Sequence, residues 1–403
     1  PALHVAGTNG KGSTCAFAEA SLRAAGLRTG LYTSPHLNHF CERIRIGGEQ
    51  ISEDHACALL TEIRERVPWA LGDPGLTFFE IATLMGFLAF RGLDVMVIEV
   101  GLGGRLDATN VLERPLACAV ASLGLEHVQY LGPTLAHVAA EKAGIFKRGV
   151  PAVSAGQPLV AARVLSAHAA ELGIPLFRPG RDYVFESRDV RPFCYRGKRW
   201  EVRVGRAGGD ARSAEGRGML ALEGHHQRTN AALACALLEA ASAALPIEPR
   251  HVDEGLATAR WPGRLERIVA VGGSGEAEVY LDGAHNPHAA AALARSIPAL
   301  ARGRPVRLVF GALQDKDVVA MLAVLGPLAA TVHYCAPDSP RAVRPEELAK
   351  LWPGQVHASA FEALRAARRE PGVVLCAGSL YLVGQVRALL LGGSAARMPS
   401  ERL

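Results

Sequence analysis

The sequence predicts an α/β protein with mainly parallel sheets, divided into two domains. Short apolar runs alternate with longer amphipathic stretches through most of its 403 residues, which is the pattern of strands joined by crossover helices. At about 150 residues per domain, this length favours two or three domains. The segment Trp261-Pro262-Gly263-Arg264 is typical of a hinge. It places the boundary near residue 262 and gives domains 1–262 and 263–403.

The predicted strands of the first domain are short buried runs that end at glycine or polar residues. They are residues 3–6, 95–100 and 117–122, and helices are predicted over 13–25, 135–146 and 227–244, with a buried helix over 78–90. Some alternation of apolar and polar residues at 183–185 and 200–204 predicts a small antiparallel β-sheet patch. A flexible loop is predicted to follow it over 205–218. Strands of the second domain are predicted at 279–281, 306–310, 331–335 and 373–376. Open α/β sheets bind ligands where their strands end, so the segments after these strands are candidate sites.

Composition excludes several classes of function. No apolar run is long enough for a transmembrane helix, and the first residues do not resemble a signal peptide. A net charge of +5 suits small anions, but no dense Lys/Arg block predicts a nucleic-acid partner. The eight scattered cysteines contain no C-x-x-C pair and lie mostly in apolar runs. We therefore expect buried thiols and a cytoplasmic protein without nucleic-acid or membrane partners.

The segment after the first strand is predicted to bind phosphate. It combines a glycine-rich turn, a lysine, a hydroxyl and a helix start in Asn9, Gly10, Lys11, Gly12 and Ser13. Backbone N–H groups and the positive end of the helix attract phosphate, and the lysine adds charge. The spacing departs from G-x-x-x-x-G-K-[ST], because residue 5 is valine and Gly12 separates Lys11 from Ser13. An ordinary strand–helix turn remains the alternative at this stage.

A series of motifs in fixed order resembles the folylpolyglutamate synthase/dihydrofolate synthase family of the Mur ligase superfamily. The motifs are GTNGKGS at 7–13, SPHL at 34–37, FCERI at 40–44, TFFE at 77–80, EVGLGGRLDATN at 99–110, EKAGI at 141–145, HQ at 226–227 with Asn230, GRLE at 263–266, DGAHNP at 282–287, DKD at 315–317 and GSLY at 378–381. The resemblance implies a P-loop NTPase-like N-terminal domain with a small β patch, and a Rossmann-like C-terminal domain that binds glutamate.

The resemblance also implies the reaction. Such enzymes use ATP to convert a carboxylate into an acyl phosphate, which the amine of L-glutamate then attacks. The acceptor would be dihydropteroate, a reduced folate that already carries glutamate, or both. Two alternatives are a cell-wall ligase of the Mur type and a P-loop NTPase switch without ligase activity. Members of the family are generally monomeric, so we expect a monomer. They usually carry further residues before the phosphate-binding loop, so we also expect a segment that precedes residue 1.

The resemblance assigns four side chains to two Mg²⁺ ions. Ser34 and Glu99 resemble the ligands of the first ion, and His127 resembles a ligand of the second. Lys142 resembles a lysine that becomes carbamylated and supplies oxygen ligands to the second ion. Taken alone, Ser34 could be a turn residue, Glu99 a helix-capping group, His127 a structural histidine and Lys142 a solvated lysine paired with Glu141.

The remaining assignments concern the nucleotide and the two other substrates. Asn230, Arg264 and Asp282 resemble residues that hold ATP together with the loop residues from Asn9 to Ser13, whereas His285 and Ser379 resemble residues that face glutamate. Lys11, Lys142 and His285 are the predicted catalytic residues. The acceptor side is predicted to comprise Thr77, Phe78, Phe79, Glu80, Arg105 and Asp107. The two phenylalanines could equally be core residues. Glu126 stands where the family usually has aspartate, and this change is interpreted as conservative.

Overall fold

The computed structural model describes residues 1–72, 74–186, 193–204, 219–268 and 277–392. Backbone contacts divide the chain into two compact units. Unit 1 is Pro1–His36, Phe40–Ala221 and Gln227–Arg260, and unit 2 is Leu37–His39, Leu222–His226 and Trp261–Leu403. The loop predicted over 205–218 lies outside the described residues.

The main sheet of unit 1 is largely parallel. Its strands are β1 (Ala2–Ala6), β2 (Thr29–Tyr32), β3 (Ile44–Ile46), β4 (Glu49–Gln50), β5 (Val95–Glu99), β6 (Ala117–Val120), β7 (Ala152–Ser154) and β8 (Leu176–Phe177). Their order is β4-β3-β2-β5-β1-β6-β7-β8, with β3 and β4 antiparallel to their neighbours. A separate antiparallel sheet contains β9 (Val184–Phe185), β10 (Phe193–Arg196) and β11 (Glu201–Val204), which is the predicted patch.

Helices cover both faces of the unit 1 sheet. They are α1 (Lys11–Ala24), α2 (Glu53–Arg66), α3 (Phe78–Ala89), α4 (Val128–Leu131), α5 (Leu135–Ala143), α6 (Leu159–Leu172), α7 (His225–Ala241) and α8 (Pro249–Thr258), with 3-10 turns at Phe40–Arg43, Pro68–Leu71 and Ala108–Val111. The prediction of a buried helix over 78–90 was wrong in one respect. Helix α3 buries only the stripe that includes Ala82 and Met85, whereas Phe78 is 45% exposed, as expected of an amphipathic helix on a sheet.

Unit 2 is a second α/β layer structure. Its strands are β12 (Glu266–Ile268), β13 (Glu278–Leu281), β14 (Val306–Phe310), β15 (Thr331–Tyr334), β16 (Gln355–Val356) and β17 (Val373–Ala377), in the order β12-β13-β17-β14-β15-β16. All pairs are parallel except β12 with β13. The helices are α9 (Pro287–Ala294), α10 (Ile297–Ala301), α11 (Val318–Leu325), α12 (Pro345–Leu351), α13 (Ala360–Ala367) and α14 (Leu380–Leu391), with a 3-10 turn at Gly326–Leu328. Hydrophobic clusters fill both faces of the sheet.

Strand register positions the candidate site of unit 1. Val5 is opposite Glu99, and Ala6 is opposite Val120, so β5, β1 and β6 end side by side. Parallel strands bring the segments that follow them to one edge of the sheet. That edge carries the phosphate loop after β1, the glycine segment after β5 and the segment containing His127 after β6.

The cysteines and the possible membrane spans were the subject of two further predictions. All eight cysteines are free thiols; six are buried, Cys194 is half-buried and Cys57 is exposed. Among the residues that the structure describes, no helix is both long and apolar enough to span a bilayer.

Candidate active site

The phosphate loop is anchored on one side and presents helix amides on the other. Gly10 precedes α1 with φ 89°, a left-handed conformation that favours glycine. The N–H groups of Thr8 and Asn9 donate to the Ser122 carbonyl oxygen at 3.0 and 3.1 Å, which fixes the loop to the end of β6. The first N–H groups of a helix have no intrahelical acceptor and carry its positive end. Because the Thr8 and Asn9 N–H groups are already bonded to Ser122, the amides at the start of α1 are the ones without a backbone acceptor in the helix.

Lys11, Glu99 and Ser34 converge at the ends of neighbouring strands. The Lys11 Nζ lies 3.4 Å from the Thr8 carbonyl oxygen and 4.0 Å from Glu99 Oε1. The other carboxylate oxygen, Glu99 Oε2, accepts the N–H of Ser34 at 3.2 Å. Glu99 is 5% exposed, so its carboxylate is buried beside a cation and a backbone donor. The two predicted ligands of the first metal ion are thus adjacent.

Lys142 is a buried lysine beneath the phosphate loop. Its side chain is 2% exposed, and Nζ donates to the Gly7 carbonyl oxygen at 2.9 Å and to Glu126 Oε1 at 3.1 Å. The alternative of a solvated lysine paired with Glu141 was therefore wrong. Glu141 accepts from Arg105 instead, because α5 turns that residue toward the surface.

The pKa values of this ion pair are displaced by burial and by neighbouring charges. Burial, followed by the charge of Lys11, lowers the pKa of Lys142, although Glu126 opposes the shift. For Glu126, burial favours the protonated form, but Lys142 and then Lys11 outweigh it and hold the pKa well below its ordinary value. The carboxylate is therefore ionised at neutral pH, and the lysine loses its proton more readily than a solvated lysine does.

His127 directly follows Glu126 and has an unusual backbone conformation. Its φ of 46° and ψ of 42° lie in the left-handed region, where a side chain costs roughly 1–2 kcal/mol. Such conformations often mark functional sites. The half-buried ring lies at the start of α4, on the strand-end side of the sheet.

Asn230 packs directly against the phosphate loop. A β-carbon on Gly10 would lie 2.2 Å from Asn230 Oδ1. The other end of the amide, Nδ2, donates to Gln227 Oε1 at 2.9 Å, and both residues are buried on α7. The Gln227–Asn230 pair therefore sets which end of the Asn230 amide faces the loop.

The residues at the start of α3 that are predicted to bind the acceptor contact one another and neighbouring side chains. Thr77 and Glu80 form a capping box: the Thr77 N–H and hydroxyl donate to Glu80 Oε2 at 2.8 Å, and the Glu80 N–H donates to Thr77 Oγ1 at 3.2 Å. Phe79 packs on Tyr32 with 6.2 Å between ring centroids. Exposed Phe78 lies edge-on to Phe40. Their role toward the acceptor stays a prediction.

Arg105 and Asp107 also make contacts within the fold. Arg105 is 56% exposed and pairs with Glu141 at 2.9 Å. Asp107 is buried and accepts the N–H groups of Leu102 at 2.8 Å and Thr109 at 3.0 Å. Burial raises the pKa of Asp107 and these donors oppose the shift.

In unit 2, three predicted residues lie at the ends of β13 and β17. Asp282 Oδ2 accepts the Leu265 N–H, and Oδ1 accepts the Ala284 N–H, both at 2.9 Å. His285 Nδ1 contacts the Gly283 carbonyl oxygen at 2.7 Å. Ser379 follows β17 and caps α14, since its Oγ accepts the Tyr381 N–H at 3.2 Å.

Arg264 lies close to this strand-end group of unit 2. Its Nη1 donates to the Gly263 carbonyl oxygen at 3.1 Å. A β-carbon on Gly283 would lie 2.4 Å from the same nitrogen, so the glycine leaves room for the guanidinium.

Sequence reasoning missed Glu126, Gln227 and Thr109 as members of these networks. Their contacts join residues that are distant in the chain or lie inside a helix, and no local pattern encodes them. The one available signal was Glu126, a carboxylate beside a candidate ligand at a strand end.

The fold and the site define a ligase of the Mur type, with a phosphate loop on one α/β unit and a second α/β unit after it. Residues 263–380 match the family model described as Mur ligase, glutamate ligase domain. The chain is 35% identical to the folylpolyglutamate synthase of Lacticaseibacillus casei over 98% of its own length and 90% of the relative. It is 36% identical to the dihydrofolate synthase/folylpolyglutamate synthase of Escherichia coli, over 96% of its length and 86% of the relative.

A solved structure agrees with these relatives. A bifunctional folylpolyglutamate synthase/dihydrofolate synthase with Mn, AMPPNP and L-glutamate bound has a TM-score of 0.80 and 34% identity, covering 97% of this chain and 89% of the other. The chain belongs to the folylpolyglutamate synthase/dihydrofolate synthase family. It is an ATP-dependent ligase that joins glutamate to folates.

Gly10→Ala is expected to abolish nucleotide binding, because its β-carbon would meet Asn230 Oδ1 at 2.2 Å. Gly26→Ala is the matched control, since Gly26 also has positive φ (79°) but nothing within 4 Å of the added carbon. The control should lose about 1–2 kcal/mol of stability from backbone strain and keep its affinity. Calorimetric titration with a non-hydrolysable ATP analogue measures the difference. Unchanged affinity in Gly10→Ala would contradict the account.

Proposed function

We propose that this enzyme adds L-glutamate both to dihydropteroate and to reduced folyl-(poly)glutamates, releasing ADP and phosphate through an acyl phosphate. The observation that carries the proposal is the convergence of Lys11, Glu99 and Ser34 with the Lys142–Glu126 pair at one edge of a parallel sheet. The name of the Escherichia coli relative combines both activities, which supports a bifunctional enzyme.

The first metal site fits a hard divalent cation such as Mg²⁺. Ser34 and Glu99 supply a hydroxyl and a carboxylate oxygen, which Mg²⁺ prefers, and the Ser34 N–H to Glu99 contact holds them together. Lys11 next to Glu99 supplies the charge for a phosphate. A divalent ion bound there would neutralise charge on the ATP phosphates, as in other phosphoryl-transfer enzymes. The Mn-bound relative supports such a site.

The second site fits a metal ion only if Lys142 changes its charge. No group of three His, Cys, Asp or Glu side chains converges anywhere in the described ranges, and an ammonium has no lone pair to offer. A carbamate on Lys142 would supply oxygen ligands next to Glu126, the residue that precedes His127 in the chain. The neutral Nζ would form an N–C bond to CO2, one C=O electron pair would move to oxygen, and an Nζ proton would leave to solvent. The lowered pKa of Lys142 increases the neutral amine that this step needs.

Charge balance explains why cations accompany the nucleotide. Lys11 and Lys142 balance Glu99 and Glu126, so these four groups offer a triphosphate no net positive charge. A carbamate on Lys142 would give these four groups a net negative charge. We propose that the two divalent ions offset most of this negative charge when ATP binds.

The chain's own residues would orient the reacting groups. The start of α1 and Lys11 would hold the phosphates while the acceptor carboxylate oxygen attacks the γ-phosphorus and ADP leaves with the bond electrons. The glutamate nitrogen would then attack the acyl carbon, and phosphate would leave. Asn230 would lie beside the nucleotide, as expected from its contact with Gly10.

Unit 2 residues are proposed to serve ATP and glutamate, with 1–262 and 263–403 as the two functional domains. The Gly283 carbonyl can only accept, so a neutral His285 carries its proton on Nδ1 and its basic nitrogen is Nε2. That nitrogen would accept the proton of the attacking amine, with Ser379 holding glutamate. Arg264 and Asp282 would bind ATP.

The acceptor would lie along Thr77, Phe78, Phe79, Glu80, Arg105 and Asp107. Phe78 is 45% exposed, with Phe40 edge-on to its ring and the Arg43 guanidinium 5.3 Å from its centroid, whereas Phe79 packs on Tyr32. The exposed part of the Phe78 ring would contact a flat ligand. We further propose a monomer that acts on small molecules alone. We also propose a cytoplasmic location, which the eight free thiols support because the cytoplasm is reducing.

Phosphate release from ATP should require both L-glutamate and an acceptor, with dihydropteroate and tetrahydrofolate each active. The Lys11→Ala variant should lose at least about 100-fold in rate, as when one transition-state charge contact is removed, and its circular dichroism spectrum should show the fold of the parent. Phosphate release that neither dihydropteroate nor tetrahydrofolate stimulates would contradict the proposal. Stimulation by only one acceptor would show that the enzyme is monofunctional.

Lys142→Ala should lose activity and regain part of it with added short carboxylates. Carbon-13 NMR in labelled bicarbonate should show a carbamate signal in the parent and in Lys147→Ala, but not in Lys142→Ala. Lys147 is the matched control because its Nζ contacts the Asn110 carbonyl oxygen at 3.3 Å, away from Glu126. Full activity in Lys142→Ala, or an active parent without the signal, would count against carbamylation.

A further inference from the structure

A buried hydrogen-bonded network connects Asp107, which is predicted to lie on the acceptor side, to Thr109 and His4, which no assigned step of the reaction uses. His4 Nε2 lies 2.9 Å from Thr109 Oγ1, and Thr109 Oγ1 lies 2.5 Å from Asp107 Oδ1. His4 and Thr109 are fully buried and Asp107 is 9% exposed. His4 is in β1 and the other two residues follow the glycine segment, so the contact spans distant parts of the chain.

The direction of each hydrogen bond follows from the groups involved. The Asp107 carboxylate only accepts, so the Thr109 hydroxyl donates to it. Thr109 must then accept from His4, which makes Nε2 the protonated nitrogen of the ring. His4 Nδ1 is buried without a hydrogen-bond partner in the described part of the chain, as expected for a neutral ring. Burial, followed by the charge of Lys147, lowers the pKa of His4 to about 3, which agrees with this state.

The Asp107 end of this hydrogen-bonded network fixes the backbone that follows Glu99. Asp107 Oδ2 accepts the Leu102 N–H at 2.8 Å, three residues after Glu99. His4 is the neighbour of Val5, which is opposite Glu99 in the sheet. The three side chains therefore hold both the strand beside Glu99 and the segment leaving it.

The same segment is attached to the helix that carries Lys142. The Arg105 N–H donates to the Glu141 carbonyl oxygen at 2.8 Å, and Asn110 Nδ2 donates to the Gly144 carbonyl oxygen at 3.1 Å. A β-carbon on Gly104 would lie 2.7 Å from the Glu141 carbonyl oxygen, so segment and helix are in close contact. Movement of the segment would thus reach both proposed metal sites.

We propose that His4, Thr109 and Asp107 form a positioning relay that fixes Glu99 and Lys142 relative to each other for binding of the metal–nucleotide complex. This inference rests on the proposed two-metal function. It gives Asp107 a positioning role through the backbone N–H groups that it accepts, in addition to its proposed place on the acceptor side. Thr109 is the central member, because its hydroxyl both accepts from His4 and donates to Asp107.

Thr109→Val tests the relay, because valine keeps the shape of threonine and removes the hydroxyl. Binding of Mn²⁺ with AMPPNP, measured by electron paramagnetic resonance, should weaken by about tenfold, equivalent to about 1.4 kcal/mol and near the lower end for a hydrogen bond to a charged group. Thr109→Ser, which restores the hydroxyl, should bind like the parent.

Thr29→Val is the matched control for a general loss of stability. Thr29 is also fully buried and also donates to a buried carboxylate, Glu19 Oε1, at 2.6 Å. It lies at the first residue of β2, however, at the opposite end of the strand from Ser34. Both valine variants should unfold at lower temperature than the parent, but Thr29→Val should keep the parent's Mn²⁺ affinity.

Three results would overturn the inference. The first is that Thr109→Val binds Mn²⁺ as tightly as the parent. The second is that Thr29→Val loses as much Mn²⁺ affinity as Thr109→Val, and the third is that Thr109→Ser does not restore the affinity that Thr109→Val loses. If the parent itself binds no Mn²⁺ with AMPPNP, the proposed metal site fails and the inference fails with it, a result distinct from the other three. If Thr109→Val does not fold, two His4 variants test the same point. The amide of His4→Gln can still donate to Thr109 and this variant should keep the parent's Mn²⁺ affinity, whereas His4→Leu cannot donate and should bind Mn²⁺ more weakly.

Discussion

The parallel register of β5, β1 and β6 is the constraint on which the rest of the site depends. With Val5 opposite Glu99 and Ala6 opposite Val120, three segments from distant parts of the sequence leave the sheet at one edge. A shift of one residue would turn the side chains of β5 to the opposite face and remove Glu99 from Lys11. Helix α1 then adds its amides and α5 adds Lys142 to the same edge.

Burial gives the charges at this edge their chemical character. Glu99, Glu126 and Lys142 are largely removed from water, where an unpaired charge is costly, and each is held by a partner of opposite charge or by the backbone. Such a set responds strongly to an added charge. In the proposed mechanism, divalent ions offset the charge that a triphosphate adds beside the two carboxylates, and this links nucleotide binding to metal binding.

Local sequence pattern was sufficient for the fold class and for some of its elements, but it did not predict β2, β7 or β8 of the main sheet. The strand predicted at 95–100 is β5, Val95–Glu99, and the helix predicted at 227–244 is α7, His225–Ala241, because apolar runs and periodicity are local signals. Pattern could not show that Lys142 reaches Gly7 or that His4 reaches Thr109, since those contacts depend on strand order. Pattern could not decide between an exposed and a buried Phe78 for a related reason: an apolar residue at a helix start does not reveal which face of the helix it occupies.

The central claim is that this strand-end site activates a carboxylate by phosphorylating it. Transfer of oxygen-18 from the labelled carboxylate of the acceptor to the released phosphate tests it most directly. An acyl phosphate leaves one labelled oxygen in phosphate for each amide bond formed, because the C–O bond breaks when glutamate attacks. Phosphate without label, formed while the amide product accumulates, would contradict the account.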